Sequence, residues 1–287
     1  MNVVINNKKP KGEKRRKALY LVIIVICLLA ILTSAYVLVF KKHENVKPTE
    51  HIPVSEEEYL KKEEEFEKIF TNETINQTKS NILITNKIKK QDGIIGTAYE
   101  NNEKETGKYS LNVKIPYINI NNNIVKEYNN QIEQTFKQKA LDIISNTESK
   151  DVVYTVDYIA YVNEKNILSI VIRSILKEGN NAQRTIIQTY NYDFQNNKEI
   201  LLEKMLDLKA LEKQYVESKI TTKIKQEQAK VEELKKLGYN IYERDYTSNI
   251  YKIKNTTEFF IGQDGYLYLV YAYGNNHYTS ELDLVIL

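Results

Sequence analysis

Residues that could carry covalent chemistry are few and far apart. The three histidines are His43, His51 and His277, and none has a second histidine or a cysteine at the spacing a metal ion needs. Cys27 is the single cysteine, so no intrachain disulfide can form. Val25 and Ile26 precede it where a lipoprotein signal carries small residues, so it reads as a small apolar side chain inside an apolar run. The sequence holds no Gly-x-Ser-x-Gly elbow, P-loop or His-Glu-x-x-His motif. Carboxylates cluster at Glu56–Glu58 and Glu63–Glu65. Acid–base catalysis needs carboxylates in contrasting environments, and solvated helix faces give them the same one. Asp264-Gly265 lacks the alternating carboxylates of a calcium loop and reads as a hairpin turn. The expectation is no catalytic residue, no metal ligand and no cofactor.

Binding is better provided for than reaction. Among 22 tyrosines, Tyr154, Tyr158, Tyr161, Tyr190, Tyr192, Tyr266, Tyr268, Tyr271 and Tyr273 fall in strand-like stretches. Tyrosine suits half-buried sheet positions, and the same residues on an exposed face would grip a glycan or a protein. The candidate contact residues are Lys177, Asn180, Asn181 and Arg184 of a polar turn, with Tyr190, Tyr192, Tyr271 and Tyr273 of the strands.

Those residues need a scaffold, and the patterning supplies one. Val152, Tyr154, Val156, Tyr158, Ala160 and Val162 share one face of DVVYTVDYIAYV, and NILSIVIRSIL and QRTIIQTYNYDF follow. Asn163–Asn166 and Lys177–Ala182 supply the turns of an antiparallel meander. NILITNKI and GKYSLNVKIPYINI are earlier strands, with Pro116 marking an edge or a break. Between them and the meander, Val125, Tyr128, Ile132, Phe136, Ala140 and Ile144 return at helical spacing behind a cap at Asn121–Asn123. EILLEKML starts a short helix, and a long one over roughly 208–237 ends at Gly238. FFIGQDGYLYLVYAY and SELDLVIL close the chain. Strands clustered between helices predict an α+β domain with an antiparallel sheet.

Ala18 to Phe40 contains no charge, and a helix of that length covers the roughly 30 Å hydrocarbon layer. Seven basic residues and only Glu13 occupy residues 1–40, leaving 34 of the 41 basic and 37 of the 38 acidic groups to the rest. A mildly acidic body gives no reason to seek nucleic acid. The basic flank predicts a cytoplasmic N-terminal tail (1–17), a transmembrane helix (18–40) partnered by the lipid bilayer, and residues 41–287 outside the membrane. Thr33-Ser34-Ala35 would suit cleavage as a signal peptide, but the apolar run exceeds a signal core and continues past that site. Residues 41–80 form a linker and a stalk helix, whose Ser55 and Glu58 make a capping box and whose Tyr59, Phe66, Ile69 and Phe70 share a face. Residues 81–287 form the body, divisible at about residue 150.

The stretch ILSIVIRSILKEGNNAQRTIIQTYNYDFQNNKEILLEKMLDL resembles the core of a domain shared by RsiV-type anti-sigma factors and PdaC-type peptidoglycan deacetylases. The shared pattern is strand, turn, a strand signed here by Tyr190-Asn191-Tyr192-Asp193-Phe194, a polar turn at Gln195–Lys198 and a leucine-rich helix. KIPYINI with IVKEYNNQIEQTF, and EFFIGQDGYLYLVYAY with ELDLVIL, extend the resemblance over residues 108–287. The turn between the first two strands departs from the pattern, with one glycine and no histidine. The resemblance implies a non-catalytic module in a Gram-positive-type cell envelope, binding or sensing peptidoglycan or a protein such as lysozyme. Its alternative implication is an RsiV-like regulator whose residues 1–17 hold a sigma factor, a short segment for that task.

Overall fold

The computed structural model describes residues 54–69, 82–84, 93–163 and 166–287. The expected anchor, Ala18 to Phe40, lies outside them, and among the described residues no helix is long and apolar enough to cross a membrane. The elements are α1 (Glu56–Ile69), β1 (Ile82–Ile84), β2 (Ile95–Glu105), β3 (Tyr109–Ile118) and α2 (Asn123–Ile132). A π turn over Glu133–Lys137 carries α2 into α3 (Gln138–Ser145). Then come β4 (Val152–Val162), β5 (Ile167–Glu178), β6 (Arg184–Asp193), β7 (Lys198–Glu199), α4 (Leu202–Lys209) and α5 (Lys213–Lys236). The chain ends in β8 (Phe259–Ile261), β9 (Leu267–Ala272) and β10 (Leu282–Ile286).

β2 to β7 form a sheet in sequence order, with β1 also paired to β4. β4, β5 and β6 make the antiparallel meander that their alternation requires. The sheet is nevertheless mixed, which corrects the expectation of an antiparallel one. β3 and β1 both run parallel to β4 and share one of its edges, β3 along Val152–Val156 and β1 along Ala160–Val162. The reason is connectivity: a helical crossover between β3 and β4 returns the chain to its starting end, and a parallel neighbour needs such a crossover. β2 escaped the sequence reading because its asparagines, glutamates and lysines are poor strand formers. Pairing with β3 holds it in place, and charged residues suit an edge strand.

β8, β9 and β10 are a second, separate antiparallel sheet. Even-numbered β4 residues join Val125, Tyr128, Ile132, Phe136, Ala140 and Ile143 of the crossover in one core. Ile159 and Tyr161 point the other way, onto Phe260, Tyr268, Val270, Leu284 and Ile286 of the small sheet. The far face of that sheet, including Phe259, Leu267, Leu269 and Tyr271, packs on Met205, Val216, Ile220 and Ile224 of α4 and α5. The layers are therefore helix, large sheet, small sheet, helix. Each fully buried Ile or Phe contributes roughly 1.5–3 kcal/mol to this stack.

Local signals set the helix ends. Asn122 caps α2, its Oδ1 accepting from Ile124 N at 2.8 Å. Ser55 Oγ accepts from Glu58 N at 3.2 Å at the start of α1. α5 ends in a Schellman turn, Gly238 N reaching Lys235 O and Tyr239 N reaching Leu234 O, with Gly238 at φ 90°. The short and the long helix expected here both form, but the boundary lies later than 208, because Ala210 adopts a left-handed conformation at φ 53° that ends α4, and α5 starts only at Lys213. α1 docks on the body: Phe66 stacks on Phe260, Lys62 pairs with Asp264 at 2.6 Å, and the Tyr59 hydroxyl donates to Leu284 O.

Candidate functional site

β6 organises the surroundings of the site. β5 covers one of its edges, while β7 covers the other only at Tyr192 and Asp193. An uncovered strand edge invites another chain, so its backbone groups need partners. Asn275 acts as a neighbouring strand would, its Oδ1 accepting from Ile187 N at 3.0 Å and its Nδ2 donating to Ile187 O at 2.8 Å. Thr185 N donates to Thr279 O at 3.0 Å. Thr189 N donates to the Glu258 carboxylate at 2.6 Å, and Ile200 N donates to Asn191 O at 3.0 Å.

The inner face of β6 ties the two sheets together. Asn191 Nδ2 donates to Phe259 O at 2.7 Å, and its Oδ1 accepts from Ser169 Oγ at 2.7 Å. Ser169 Oγ accepts in turn from Ile261 N at 3.2 Å, and Thr189 Oγ1 accepts from Phe259 N at 3.0 Å. The signature Tyr190-Asn191-Tyr192-Asp193 thus divides its labour by strand parity. Tyr190 and Tyr192 enter the core under α2, Asn191 staples β8, and Asp193 Oδ1 caps the following turn by accepting from Gln195 N and Asn196 N.

Where the cover of β6 passes from the 273–279 loop to the 253–258 segment, an open cleft of about 650 Å³ appears. Glu127 and Gln131 of α2 form one wall, Glu199 and Glu203 a second, and Lys254 with Thr256–Glu258 a third. Tyr128 and Tyr190 are at its floor, ring centroids 4.7 Å apart, with the Tyr190 hydroxyl donating to Gln188 Oε1 at 3.1 Å. Burial raises both phenols, so they stay neutral hydrogen-bonding groups at physiological pH. Glu258 is half-buried in the third wall. Burial pushes its carboxyl up to about 7, against the hydrogen bonds from Thr189 and Thr257. Among the described residues no cluster of His, Cys, Asp and Glu could hold a metal ion.

The sequence-predicted contact residues do not converge. Asn180 and Asn181 are exposed, Lys177 Nζ donates to Asn181 O, and Arg184 is committed to Gly274 O at 2.7 Å and Asn275 O at 3.1 Å. That turn lies at the end of β6 away from the cleft. Tyr190, Tyr192, Tyr271 and Tyr273 form no exposed aromatic face, because all four are buried between the layers. Tyr190 reaches the cleft as part of its floor. Tyr271 pairs with Thr256 Oγ1 at 3.1 Å, and Tyr273 bonds Tyr251 at 2.8 Å and donates to Asp283. The cleft is lined instead by residues that the sequence does not single out, among them Glu127, Gln131, Glu199, Lys254 and Glu258. Only the four-residue spacing of Glu127 and Gln131, which puts both on one helix face, was visible in advance.

No family model matches the chain, and no curated protein does. Among solved structures it is similar to a DUF3298 family protein from Pseudomonas aeruginosa PAO1, at TM-score 0.36 and 11% identity over 67% of this chain and 86% of that one. It is also similar to a member of the same family from Bacteroides fragilis, at TM-score 0.34 and 14% identity over 68% and 87%.

Proposed function

We propose that the chain is a membrane-anchored extracytoplasmic module that binds a cell-envelope glycan in the cleft beside β6 and does no chemistry on it. The observation that carries this reading is the lining. Glutamine, threonine and glutamate side chains converge over a floor of two tyrosines, matching a ligand with hydroxyl and amide groups around an apolar ring. The anchor rests on the uncharged run Ala18–Phe40 and its basic flank.

Isothermal titration of the full chain in detergent micelles against muramidase-digested peptidoglycan tests it. Saturable binding is expected, weakened at least about tenfold by the double change Glu127→Ala and Gln131→Ala, since each lost polar contact to a ligand is worth about a kcal/mol. Both positions are exposed, so the fold tolerates the change. Absence of binding, or binding indifferent to these substitutions, rejects the cleft.

A protein partner such as lysozyme is the second reading, and it has its own observation. Leu234, Leu237, Tyr239, Tyr246 and Ile250 are exposed within a short stretch at the end of α5 and beyond it. Association with lysozyme that Leu237→Asp abolishes, and that the cleft substitutions leave intact, selects this reading over the first.

A further inference from the structure

We propose that the cleft continues into a second subsite, so that it takes an extended, oligomeric glycan rather than a single sugar. This rests on the glycan reading above and adds a length requirement to it. A smaller hollow of about 140 Å³ lies beside the first, and the two share three consecutive lining residues, Thr256, Thr257 and Glu258. These residues are a wall with a depression on either side, and Thr257 at its middle is exposed. The Glu258 side chain is fixed within the wall by Thr189 N at 2.6 Å and Thr257 Oγ1 at 3.1 Å.

Beyond the wall stands an aromatic platform. Tyr242 is half-buried, stacked on Tyr273 with centroids 4.2 Å apart and 20° between planes, and His277 tilts beside it at 5.3 Å. The platform is held before any ligand arrives. Tyr242 N donates to Glu281 Oε1 at 2.8 Å, and Tyr242 O accepts from Arg244 at 2.6 Å. Arg244 is clamped by Asp283 through two bonds of 3.0 Å. A preformed aromatic face flanked by the exposed Asn276 and His277 is a stacking position for a sugar ring. Alone it is too shallow to retain one. Joined to the larger cleft through a short chain, it acts at high effective concentration.

The test is affinity against chain length, by calorimetry on the full chain in detergent with N-acetylglucosamine oligomers of one to six units. Affinity should climb with length. Tyr242→Ala should lower hexamer affinity by about tenfold while leaving the dimer unaffected, the scale expected for one aromatic stacking contact. His277→Ala, at an exposed position away from the core, should act in the same direction more weakly. Glu127→Ala should weaken every length alike. If neither Tyr242→Ala nor His277→Ala changes hexamer affinity while Glu127→Ala does, the second subsite is refuted and the cleft stands. If no oligomer of any length binds, the glycan reading falls and takes the subsite with it.

Discussion

The two ends of β6 solve the same problem with opposite results. At the Arg184 end the outward edge is sealed. Asn275 satisfies both backbone groups of Ile187, Arg184 ties down the 274–275 carbonyls, and Gly274 lies so close that a Cβ there would meet Thr185 O at 1.9 Å. At the Thr189–Asn191 end, single contacts from Glu258 and Ile200 satisfy the edge, and α2 and the 253–258 segment stand apart to leave a cleft. A backbone edge can be protected by close packing or by single contacts, and only the second leaves a cleft open directly along the strand edge. Loss of packing at the sealed end should therefore cost stability, whereas changes at the open end should move binding and pH response.

Gly274→Ala should have the largest effect. The added methyl would also sit 2.6 Å from Thr279 O, and both obstacles are backbone. Overpacking of this kind should cost about 3 kcal/mol or more, read as a lower urea midpoint at unchanged slope. Gly96→Ala, which meets nothing within 4 Å, is the control and should stay within about 0.5 kcal/mol. Equal losses at the two glycines would refute the packed seal. Asn191→Ala comes next. It leaves the Ser169 hydroxyl and the Phe259 carbonyl without their partner in a buried seam, at a cost of about 2–3 kcal/mol. A loss below about 1 kcal/mol would mean that the two sheets are held by apolar contact alone.

These residues also mark what a sequence can reveal. The Tyr-Asn-Tyr-Asp signature was visible as a pattern, but its meaning was not, because parity within a strand says nothing about which face meets a second sheet. The stripe from Val125 to Ala140 was legible since burial follows helical spacing, and it slips from Ile144 to Ile143 beyond the π turn, where the register changes. Strand direction was not legible: GKYSLNVKIPYINI reads alike beside a parallel or an antiparallel neighbour. The cleft was least legible of all. Its walls come from Glu127, Glu199 and Glu258, far apart in sequence, and each looks like an ordinary surface glutamate until the fold brings them together.

Glu258 should give a smaller effect with a definite sign. Burial pushes its folded carboxyl up to about 7, above the 4.5 of an ordinary glutamate. Between those values the folded chain holds a proton that the unfolded chain has released, so stability falls as pH rises through this window. The slope vanishes below it, where both states are protonated, and above it, where both are ionised. The total fall should be about 1–3 kcal/mol, less than a fully buried acid would give. Glu258→Gln keeps an acceptor for Thr189 N and removes the titration. Urea midpoints taken from pH 5 to 8 should therefore differ between variant and wild type by an amount that grows with pH. A constant difference would show that Glu258 is solvated like an ordinary surface acid.

The smallest effect should come from the turn that the sequence marked most plainly. Asn180 is exposed, and Lys177 reaches only the carbonyl of Asn181 within the same turn, so Lys177→Ala and Asn180→Ala should each change stability by less than about 0.5 kcal/mol. Both lie at the sealed end of β6, so oligomer affinity should not change either. Glu178, between them, is different. Lys139 and then the Tyr278 hydroxyl hold its carboxyl below the usual range, and through them it joins the turn to α3 and to the 273–279 loop. Glu178→Gln should therefore cost more than either neighbour, yet stay near 1 kcal/mol because the pair is partly solvated. If Asn180→Ala weakened glycan binding while Glu127→Ala did not, the ligand would sit at the sealed end, and the contrast between the two ends of β6 would be reversed.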